Sequence, residues 1–329
     1  MKKNAYSLLQ NKRKTIPILS FPAAKLLGVS VKELVFSSDY QAKAMKIISE
    51  KCPVGASLSM MDLSVEAEAF GAKIHFFDAA VPTVEKGIID GIFDAKGILV
   101  PEIGAGRTDI FIDAVKRAKK EIADIPVFCS VLGPYSLAGR LFDTQEIMYE
   151  CYDNPDEVKI LLKKATEFII KYVLAFKNAG ADGIILAEPA AGLLSPGLAE
   201  EFSMPYIKTI IDAVNSEEFL VCYHNCGDSV QDMLPMIGEI DADIIHLGNA
   251  VNMKKALEAL PEDKIIMGNI DPVYFLTKTP DFIKAEVRRL FDECSVFPNF
   301  IISTGCDLPA ASKWENIDAY FEAINELYT

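Results

Sequence analysis

The stretch Gly183-Ile184-Ile185-Leu186-Ala187 decides the predicted fold. A short apolar run of this kind is typical of a strand that is buried on both faces, as in a parallel sheet. The preceding segment 156–179 carries apolar side chains at helical spacing, begins after Asn154-Pro155 and ends at Gly180. A helix that leads into a doubly buried strand predicts one unit of an alternating α/β chain.

Eight further runs of the same kind recur along the chain and are separated by longer segments with helical spacing. They are residues 16–19, 56–60, 73–77, 126–131, 219–223, 243–247, 264–267 and 299–303. Nine candidates compete for the eight strands of a barrel, and we assign 73–77 to a surface hairpin that continues to Val81-Pro82. The sequence therefore predicts an α/β protein, a (β/α)8 TIM barrel with an N-terminal helical extension.

No Ser/Gly-rich linker, low-complexity tract or short repeat interrupts this pattern, so we expect a single domain over residues 1–329. A doubly wound parallel sheet is the competing fold. It is disfavoured because no Gly-x-Gly-x-x-Gly sequence follows the first strand, and Gly104-Ala105-Gly106 is too isolated to bind a phosphate.

Composition excludes several classes of protein. The chain has 33 Lys and Arg against 47 Asp and Glu, a formal net charge of −14. An acidic surface repels a phosphate backbone, so we expect no nucleic-acid partner. Seven cysteines without dense spacing predict a reduced, cytoplasmic protein with free or metal-bound thiols. The N-terminus stays mixed in polarity through Asn11-Lys12-Arg13-Lys14, and no later run is long and apolar, so we expect neither an export signal nor a membrane span.

Polar and metal-competent side chains follow the ends of the predicted strands, which is where a barrel of this type has its catalytic rim. They are Asp62, Tyr135, Glu188, His224, Cys226, His246, Asn269, Asp271 and Cys306. In His224-Asn225-Cys226 the imidazole and the thiol are two residues apart in an extended chain, so they point to the same side. Cys306 follows the last strand and can join them if the barrel closes. One imidazole and two thiolates form a zinc site with an open fourth position.

Glu188 and His246 are the predicted catalytic residues. Glu188 stands at a strand end, where its carboxylate can occupy the fourth zinc position without substrate or take a proton from an incoming thiol. A simpler role is that of a carboxylate that caps the next helix. His246 ends an apolar strand, and a hydrogen-bonded core histidine explains it equally well.

Simpler explanations remain for three more of these features. A His-x-Cys pair occurs by chance in many chains, and buried cysteines often serve only packing. Asp62 followed by Glu66 and Glu68 fits the start of a helix as well as a binding site. The stretch Asn269-Ile270-Asp271-Pro272 fits an ordinary turn that opens a helix.

A set of short motifs carries a family resemblance. The motifs are Met60-Met61-Asp62-Leu63-Ser64-Val65-Glu66-Ala67-Glu68-Ala69-Phe70-Gly71, Gly133-Pro134-Tyr135, Ala187-Glu188-Pro189, His224-Asn225-Cys226-Gly227, Gly268-Asn269-Ile270-Asp271-Pro272 and Gly305-Cys306. Together they resemble the uroporphyrinogen decarboxylase superfamily, and within it they are most similar to the methylcobamide:coenzyme M methyltransferase branch. The resemblance spans nearly the whole chain and implies a (β/α)8 barrel.

The resemblance implies that His224, Cys226 and Cys306 bind Zn²⁺. The residues predicted to bind substrate are Met60, Asp62, Tyr135, Asn269 and Asp271. The implied reaction moves a methyl group from methylcobalamin or another methylated corrinoid, carried by a separate corrinoid protein, to a small thiol such as coenzyme M. The acceptor can equally be another thiol or a folate, and Arg107 and Arg140 are the candidates for contacting an acidic group on it.

Two further functions remain open on the same barrel. One is decarboxylation of a tetrapyrrole, although the segment after Ile18-Leu19-Ser20 lacks the arginine that marks the decarboxylase branch. The second is a non-catalytic module that docks a corrinoid protein or stores zinc. A metal assay separates decarboxylation from methyl transfer, and a turnover assay separates a binding module from an enzyme.

Overall fold

A computed structural model describes residues 2–10 and 15–328 of the chain. The charged stretch at 11–14, part of the argument against an export signal, lies outside these described residues. Within them, every helix is too short or too polar to cross a lipid bilayer.

Seven parallel strands form the central sheet, in the order β1-β4-β5-β6-β7-β8-β9. The strands are β1 Ser57–Leu58, β4 Val127–Leu132, β5 Gly183–Ala187, β6 Leu220–Asn225, β7 Ile244–Leu247, β8 Ile265–Ile270 and β9 Phe300–Thr304. Each strand pairs in parallel with the strand of this sheet that follows it in sequence. Each connection is therefore a crossover, and its helices lie on the outside of the sheet.

The predicted strand at 16–19 is an extended segment that lies between the two edges of this sheet. Thr15 bridges Ile302 of β9 in parallel, and the backbone N–H of Gly55, just before β1, donates to the Thr15 carbonyl at 2.7 Å. A regular ladder does not form, because Pro17 lacks an N–H and the hydroxyl oxygen of Thr304 accepts from the N–H of Ile18. The segment nevertheless joins the two edges and closes the barrel.

The surplus run forms the predicted hairpin. Strand β2 Lys73–His75 pairs antiparallel with β3 Thr83–Lys86, and the two form a separate sheet of their own. Most of their side chains are exposed or half-buried. This confirms the assignment of 73–77 to a hairpin outside the barrel.

Helices surround the sheet and precede it. The α-helices are α1 Lys3–Leu9, α2 Ala23–Leu27, α3 Val31–Val35, α4 Ser38–Lys51, α5 Val65–Ala69, α6 Thr108–Glu121, α7 Pro134–Leu141, α8 Glu146–Asp153, α9 Pro155–Asn178, α10 Pro196–Phe202, α11 Met204–Val214, α12 Val230–Gly238, α13 Met253–Ala259, α14 Tyr274–Thr277, α15 Pro280–Cys294 and α16 Trp314–Leu327; the 3-10 helices are Ile92–Gly97 and Pro189–Leu193.

Helix α9 shows how the sequence sets these limits. Its first residue is Pro155, where the missing N–H costs nothing, and two acidic residues follow in the first turn. Beyond its end, Gly180 adopts a positive φ of +99°, which a residue with a side chain rarely adopts. The helix predicted at 156–179 is thus confirmed with its ends shifted by one residue.

The core has two layers because the strands alternate. Ile185, Cys222 and Ile244 belong to a cluster inside the barrel, together with Ala5 and Leu8 of α1. The neighbouring strand residues face outward and pack under the helices in a second, larger cluster. Strands buried on both faces explain the continuous apolar runs in the sequence, and the TIM-barrel prediction is confirmed.

Candidate metal centre

The polar groups of the site are the last inward-facing residues of the barrel strands. In β6, Leu220 and Cys222 face inward, so the two-residue period also turns His224 inward. The same alternation carries His246 inward at the end of β7, directly beside His224 in the strand register. Both imidazoles are buried, with at most 1% exposure. The barrel interior is therefore apolar at its N-terminal end and polar at its C-terminal end.

Three donor groups converge at this end: His224, Cys226 and Cys306. Their ligand atoms all lie within 4.8 Å of one another. Cys306 Sγ is 3.6 Å from His224 Nε2, and a tetrahedral zinc ion with Zn–S of about 2.3 Å and Zn–N of about 2.0 Å would place such a pair about 3.5 Å apart. The donor set and its spacing fit Zn²⁺.

The two cysteines share a proton in the absence of a metal. A hydrogen bond from the Cys306 thiol lowers the pKa of Cys226 below its ordinary value. The same hydrogen bond, together with burial, raises the pKa of Cys306 to about 12. The first thiolate therefore forms more easily than the second, which a cation would stabilise.

A chain of hydrogen bonds determines which nitrogen of His224 is free. The Ser303 hydroxyl donates to the carbonyl of Ile16 at 2.7 Å, so its oxygen accepts from His246 Nε2 at 3.0 Å. His246 Nδ1 is then an acceptor, and it lies 2.6 Å from His224 Nδ1, which carries the proton. The lone pair of His224 is left on Nε2, the atom that faces Cys306.

The His246 carbonyl supports the same tautomer, because it lies 3.3 Å from His224 Nδ1 and can only accept a hydrogen bond. Burial lowers the pKa of His246 well below its ordinary value, so this ring is neutral. Its side-chain nitrogens contact His224 and Ser303. The catalytic role predicted for His246 stays a prediction.

Close packing behind the metal centre requires a glycine. A side chain at Gly248 would overlap the Cα and Cβ atoms of Cys226. The N–H of Gly248 donates to the carbonyl of Asn225 at 3.1 Å, which holds the two backbones together. Gly248 thereby determines where Cys226 lies relative to the other two donors.

Glu188 is fully buried, and both of its oxygens accept hydrogen bonds at the start of α7. Oε1 accepts from the backbone N–H of Ser136 at 2.7 Å, and Oε2 accepts from that of Tyr135 at 3.1 Å. Burial raises the pKa of Glu188 to about 7 despite these bonds. A side chain at Gly133 would meet this carboxyl at 2.5 Å. The carboxylate thus caps the helix that follows β4, and not the helix after Glu188 itself that the sequence suggested.

The side chains of the residues predicted to bind substrate contact other parts of the protein. Met60 is buried in the core, and the hydroxyl of Tyr135 lies beside the Cys151 thiol. The Asn269 side chain donates to two backbone carbonyls, at 2.8 and 2.7 Å, and Asp271 accepts from the N–H of Val273 in a turn. Within the described residues, none of them lines the cavity beside Cys226. Their predicted roles stay predictions.

Asp62 belongs to a second polar cluster, at the end of β1. One of its oxygens pairs with Arg107 at 2.5 Å, and the other accepts from the N–H and the hydroxyl of Ser64. Arg107 also pairs with Glu68 at 2.6 Å and is only 2% exposed. This guanidinium is therefore occupied by the protein's own carboxylates.

Sequence reasoning missed the residues that support the metal centre. Ser303 and Gly248 gave no signal, because a serine in a strand and a glycine in a turn are common. Ser136 was missed as well, although it follows Gly133-Pro134-Tyr135 immediately and lines the cavity beside Cys226. The i, i+4 spacing of Ser136 and Arg140 was the available signal, because it places both on one face of a helix.

Fold and site together define a class, a parallel (β/α) barrel with one imidazole and two thiols at its C-terminal end. The family profile described as Uroporphyrinogen decarboxylase (URO-D) matches residues 13–327. The chain therefore belongs to the uroporphyrinogen decarboxylase family, which confirms the resemblance seen in the sequence.

Relatives from more than one branch of the family match this chain. It is 27% identical over 275 residues to methylcobamide:CoM methyltransferase MtbA of Methanosarcina acetivorans, covering 79% of this chain and 76% of that protein. It is 26% identical over 283 residues to uroporphyrinogen decarboxylase of Geobacter sulfurreducens, covering 83% and 81%. A solved structure of a methyltransferase from Methanosarcina mazei superposes with a TM-score of 0.87 at 23% identity and covers 99% of both chains, which shows the shared fold.

Proposed function

We propose that this protein is a zinc-dependent methyltransferase that moves a methyl group from a methylated corrinoid to a thiol. The observation that carries the proposal is the convergence of His224, Cys226 and Cys306 within 4.8 Å at the catalytic end of the barrel. The name of the MtbA relative supports the corrinoid donor and suggests coenzyme M as one thiol acceptor.

The three donors would hold Zn²⁺ with one position left for substrate. When bound, this ion would supply a positive charge that favours the thiolate form of the acceptor at neutral pH, where a free thiol of pKa about 8.5 is mostly protonated. His246 and Ser303 would act as positioning residues that keep His224 Nε2 unprotonated.

The transfer itself balances without another reactant. The acceptor sulfur forms the bond to the methyl carbon, and the cobalt–carbon bond breaks with its electron pair on cobalt, which goes from Co(III) to Co(I). The acceptor loses one proton. We propose that Glu188 accepts it through the hydroxyl of Ser136, because that hydroxyl contacts Glu188 and Ser136 lines the cavity at Cys226.

The two thiols favour methyl transfer over decarboxylation, because a decarboxylase of this fold needs cations for its carboxylated substrate and no metal. Arg107 is not available as such a cation, since Asp62 and Glu68 already bind it. The separate corrinoid-protein partner, the cytoplasmic location and the single domain over residues 1–329 stay predictions.

The proposal is tested by zinc content and by methyl transfer from methylcobalamin to 2-mercaptoethanol. We expect about one zinc per chain in the native protein. Cys306→Ser should lose the zinc, and its transfer rate should fall at least about 100-fold. Removing a metal ligand should lower activity more than removing a residue that only orients a ligand. Cys294→Ala, which removes a buried thiol outside the site, should keep both.

Two results would contradict the proposal. One is full transfer activity in zinc-free Cys306→Ser protein. The second is turnover of a porphyrinogen substrate by the native protein with no methylation of any thiol, which would assign it to the decarboxylases.

A further inference from the structure

Helix α8 presents two tyrosines to solvent. Its buried side consists of Ile147 and Cys151, whereas Tyr149 and Tyr152 lie on the opposite side and are 66% and 71% exposed. They are the two most exposed aromatic side chains among the described residues. A surface helix normally turns polar or charged side chains to water. A pair of exposed aromatic side chains on one helix face is instead typical of a protein–protein interface.

Helix α8 lies at the same end of the barrel as the metal centre. Helix α9, which follows it, has 24 residues and a length of about 36 Å, whereas β5 has 5 residues and spans about 17 Å. Because the end of α9 leads into the start of β5, its first turns and α8 project beyond the C-terminal ends of the strands. Thr144, two residues before α8, lines the cavity of about 400 Å³ that has Cys226 in its wall. The exposed face of α8 therefore flanks the metal centre.

The surroundings of the two tyrosines are acidic. Residues 142–158 include six acidic side chains and no Lys or Arg. The helix dipole explains the acidic residues in the first turns of α8 and α9. It does not explain Glu150 and Asp153, because they lie in the last turn of α8, where a negative charge opposes the dipole. Asp153 is exposed and forms no ion pair with another described residue.

Helix α15 shows how a solvated helix of this protein arranges its charges. Arg288 pairs with Glu326 of α16, and Arg289 pairs with Glu286 and Glu293 of its own helix. These pairs compensate one another on the surface. Helix α8 contains no basic residue that could do the same. Its negative charge is therefore available to a basic surface of another molecule.

We infer that the exposed face of α8 is the docking surface for the protein that carries the methylated corrinoid, and that this partner turns a basic face to it. The cavity of about 400 Å³ has the size of a small-ligand site, so the corrinoid macrocycle has to approach the metal centre from outside. Tyr149 and Tyr152 would anchor the partner, and its Lys or Arg side chains would meet Glu150 and Asp153. This inference rests on the proposed function and names the surface and the chemistry of its partner.

A second copy of this chain is the alternative occupant of the surface. Two copies would each bring a formal net charge of −14, and their repulsion opposes association through an acidic face. A basic partner is attracted by the same charges, which also speed its approach. The charge therefore favours a different protein over self-association.

Methyl transfer from two kinds of donor tests the inference. The probes are free methylcobalamin and the corrinoid-binding proteins of the source organism, each purified and loaded with methylcobalamin, with 2-mercaptoethanol as acceptor. We expect the native protein to use at least one of the protein donors. In the double variant Tyr149→Ala and Tyr152→Ala, kcat/KM for that donor should fall at least about tenfold, the scale of one interface anchor. Transfer from free methylcobalamin should stay at the native rate, because both side chains are exposed and lie outside the metal centre.

Charge reversal gives a second measurement. In Asp153→Lys, kcat/KM for the protein donor should fall about threefold or more, and added salt should lower it less than in the native protein, because salt screens the attraction. Glu217→Lys is the matched control. Glu217 is exposed in the loop before β6, at the N-terminal end of the barrel, so its substitution changes the net charge equally and leaves α8 intact. This control should use the protein donor as the native protein does.

Several results would make the inference wrong. One is equal use of the protein donor by the α8 variants and the native protein. Another is an equal loss with free methylcobalamin, which would assign the tyrosines to the small molecule. A third is a change from dimer to monomer in light scattering without a change in donor use, which would assign the face to self-association.

Failure of the inference and failure of the proposed function give different results. A native protein that methylates the thiol from free methylcobalamin but neither binds nor uses a protein donor would overturn the inference and leave the proposed function standing. Calorimetric binding of a corrinoid protein that is lost in the α8 variants, with no methylation of any thiol, would contradict the proposed function and leave the docking surface standing.

Discussion

Two buried polar clusters lie at the C-terminal end of the barrel and differ in how their groups are satisfied. The arginine cluster, formed by Asp62, Ser64, Glu68 and Arg107, contains a guanidinium in which each of the three nitrogens donates a hydrogen bond to an oxygen of the protein. The metal centre, formed by His224, Cys226 and Cys306, contains three donor atoms that all lie within 4.8 Å of one another. Both clusters follow strands and both are largely buried.

The comparison separates a structural cluster from a binding site. Charges that are paired inside the protein compensate one another, and removing one partner leaves the others buried and uncompensated. Soft donors that share one proton and converge on one point gain little from each other, so their arrangement is explained by a ligand. Position at the end of a barrel strand is common to both and does not distinguish them.

The largest effect on stability is expected from Arg107→Met. The variant leaves Asp62 and Glu68 without a cation and should lower the free energy of unfolding by about 3 kcal/mol or more. Thermal denaturation should show a midpoint roughly 5 °C lower or more. Zinc per folded chain should stay at the native value, because no ligand is touched.

The exposed pair Arg117 and Asp113 provides the control, since Arg117→Met should change the midpoint little. If Arg107 bound the substrate instead, its substitution would raise the KM for the acceptor without lowering the midpoint. That outcome would contradict the structural role of the arginine cluster and assign it to substrate binding.

Glu66→Gln should change the pH dependence of stability. Burial raises the pKa of Glu66 from about 4.5 to about 7 in the folded protein, so the folded state holds its proton more tightly than the unfolded state. Its contribution is therefore complete below about pH 4.5 and is lost as the pH rises through 7. Between these limits the native protein should lose up to about 3 kcal/mol that the variant does not lose.

Urea denaturation at pH 5 and pH 8 measures this difference. Glu102→Gln, at an exposed position, should follow the native protein at both values. An unchanged pH dependence in Glu66→Gln would show that Arg140 or water keeps Glu66 ionised in the folded protein.

The smallest of the expected effects is a loss of zinc affinity in Gly248→Ala. This variant tests whether Gly248 positions Cys226 in the metal centre. The added methyl group would overlap Cys226 and push it out of line with the other two donors. Zinc affinity, measured by competition with a chelator, should fall about tenfold or more. Gly197→Ala, where the new methyl group meets open space, should bind zinc as the native protein does. Equal affinities in the two variants would contradict the positioning role of Gly248.

Much of the fold was predictable because it follows from local periodicity. Continuous apolar runs such as that of β5 indicated strands buried on both faces, and the hairpin at 73–77 was separated correctly from them. The segment at 16–19 was predicted as a regular strand and is an extended segment instead. One of its backbone N–H groups, that of Ile18, donates to the side-chain oxygen of Thr304 in β9. No sequence pattern predicts such a hydrogen bond.

The metal centre was only half predictable. The spacing in His224-Asn225-Cys226 determines that two donors share a side, because strand residues alternate. The long segment between Cys226 and Cys306 contains no such constraint, and only closure of the barrel brings the second thiol to the first.

The sequence by itself therefore determined the alternation of strands and helices and the local pair of donors, since both depend on neighbours along the chain. The tertiary structure decided which polar groups are paired with other groups of the protein and which remain available for a ligand. It paired Arg107 with two carboxylates, left Arg140 without a partner among the described residues and aimed His224 Nε2 at Cys306. These outcomes depend on distances between remote segments, and such distances exist only once the barrel has closed.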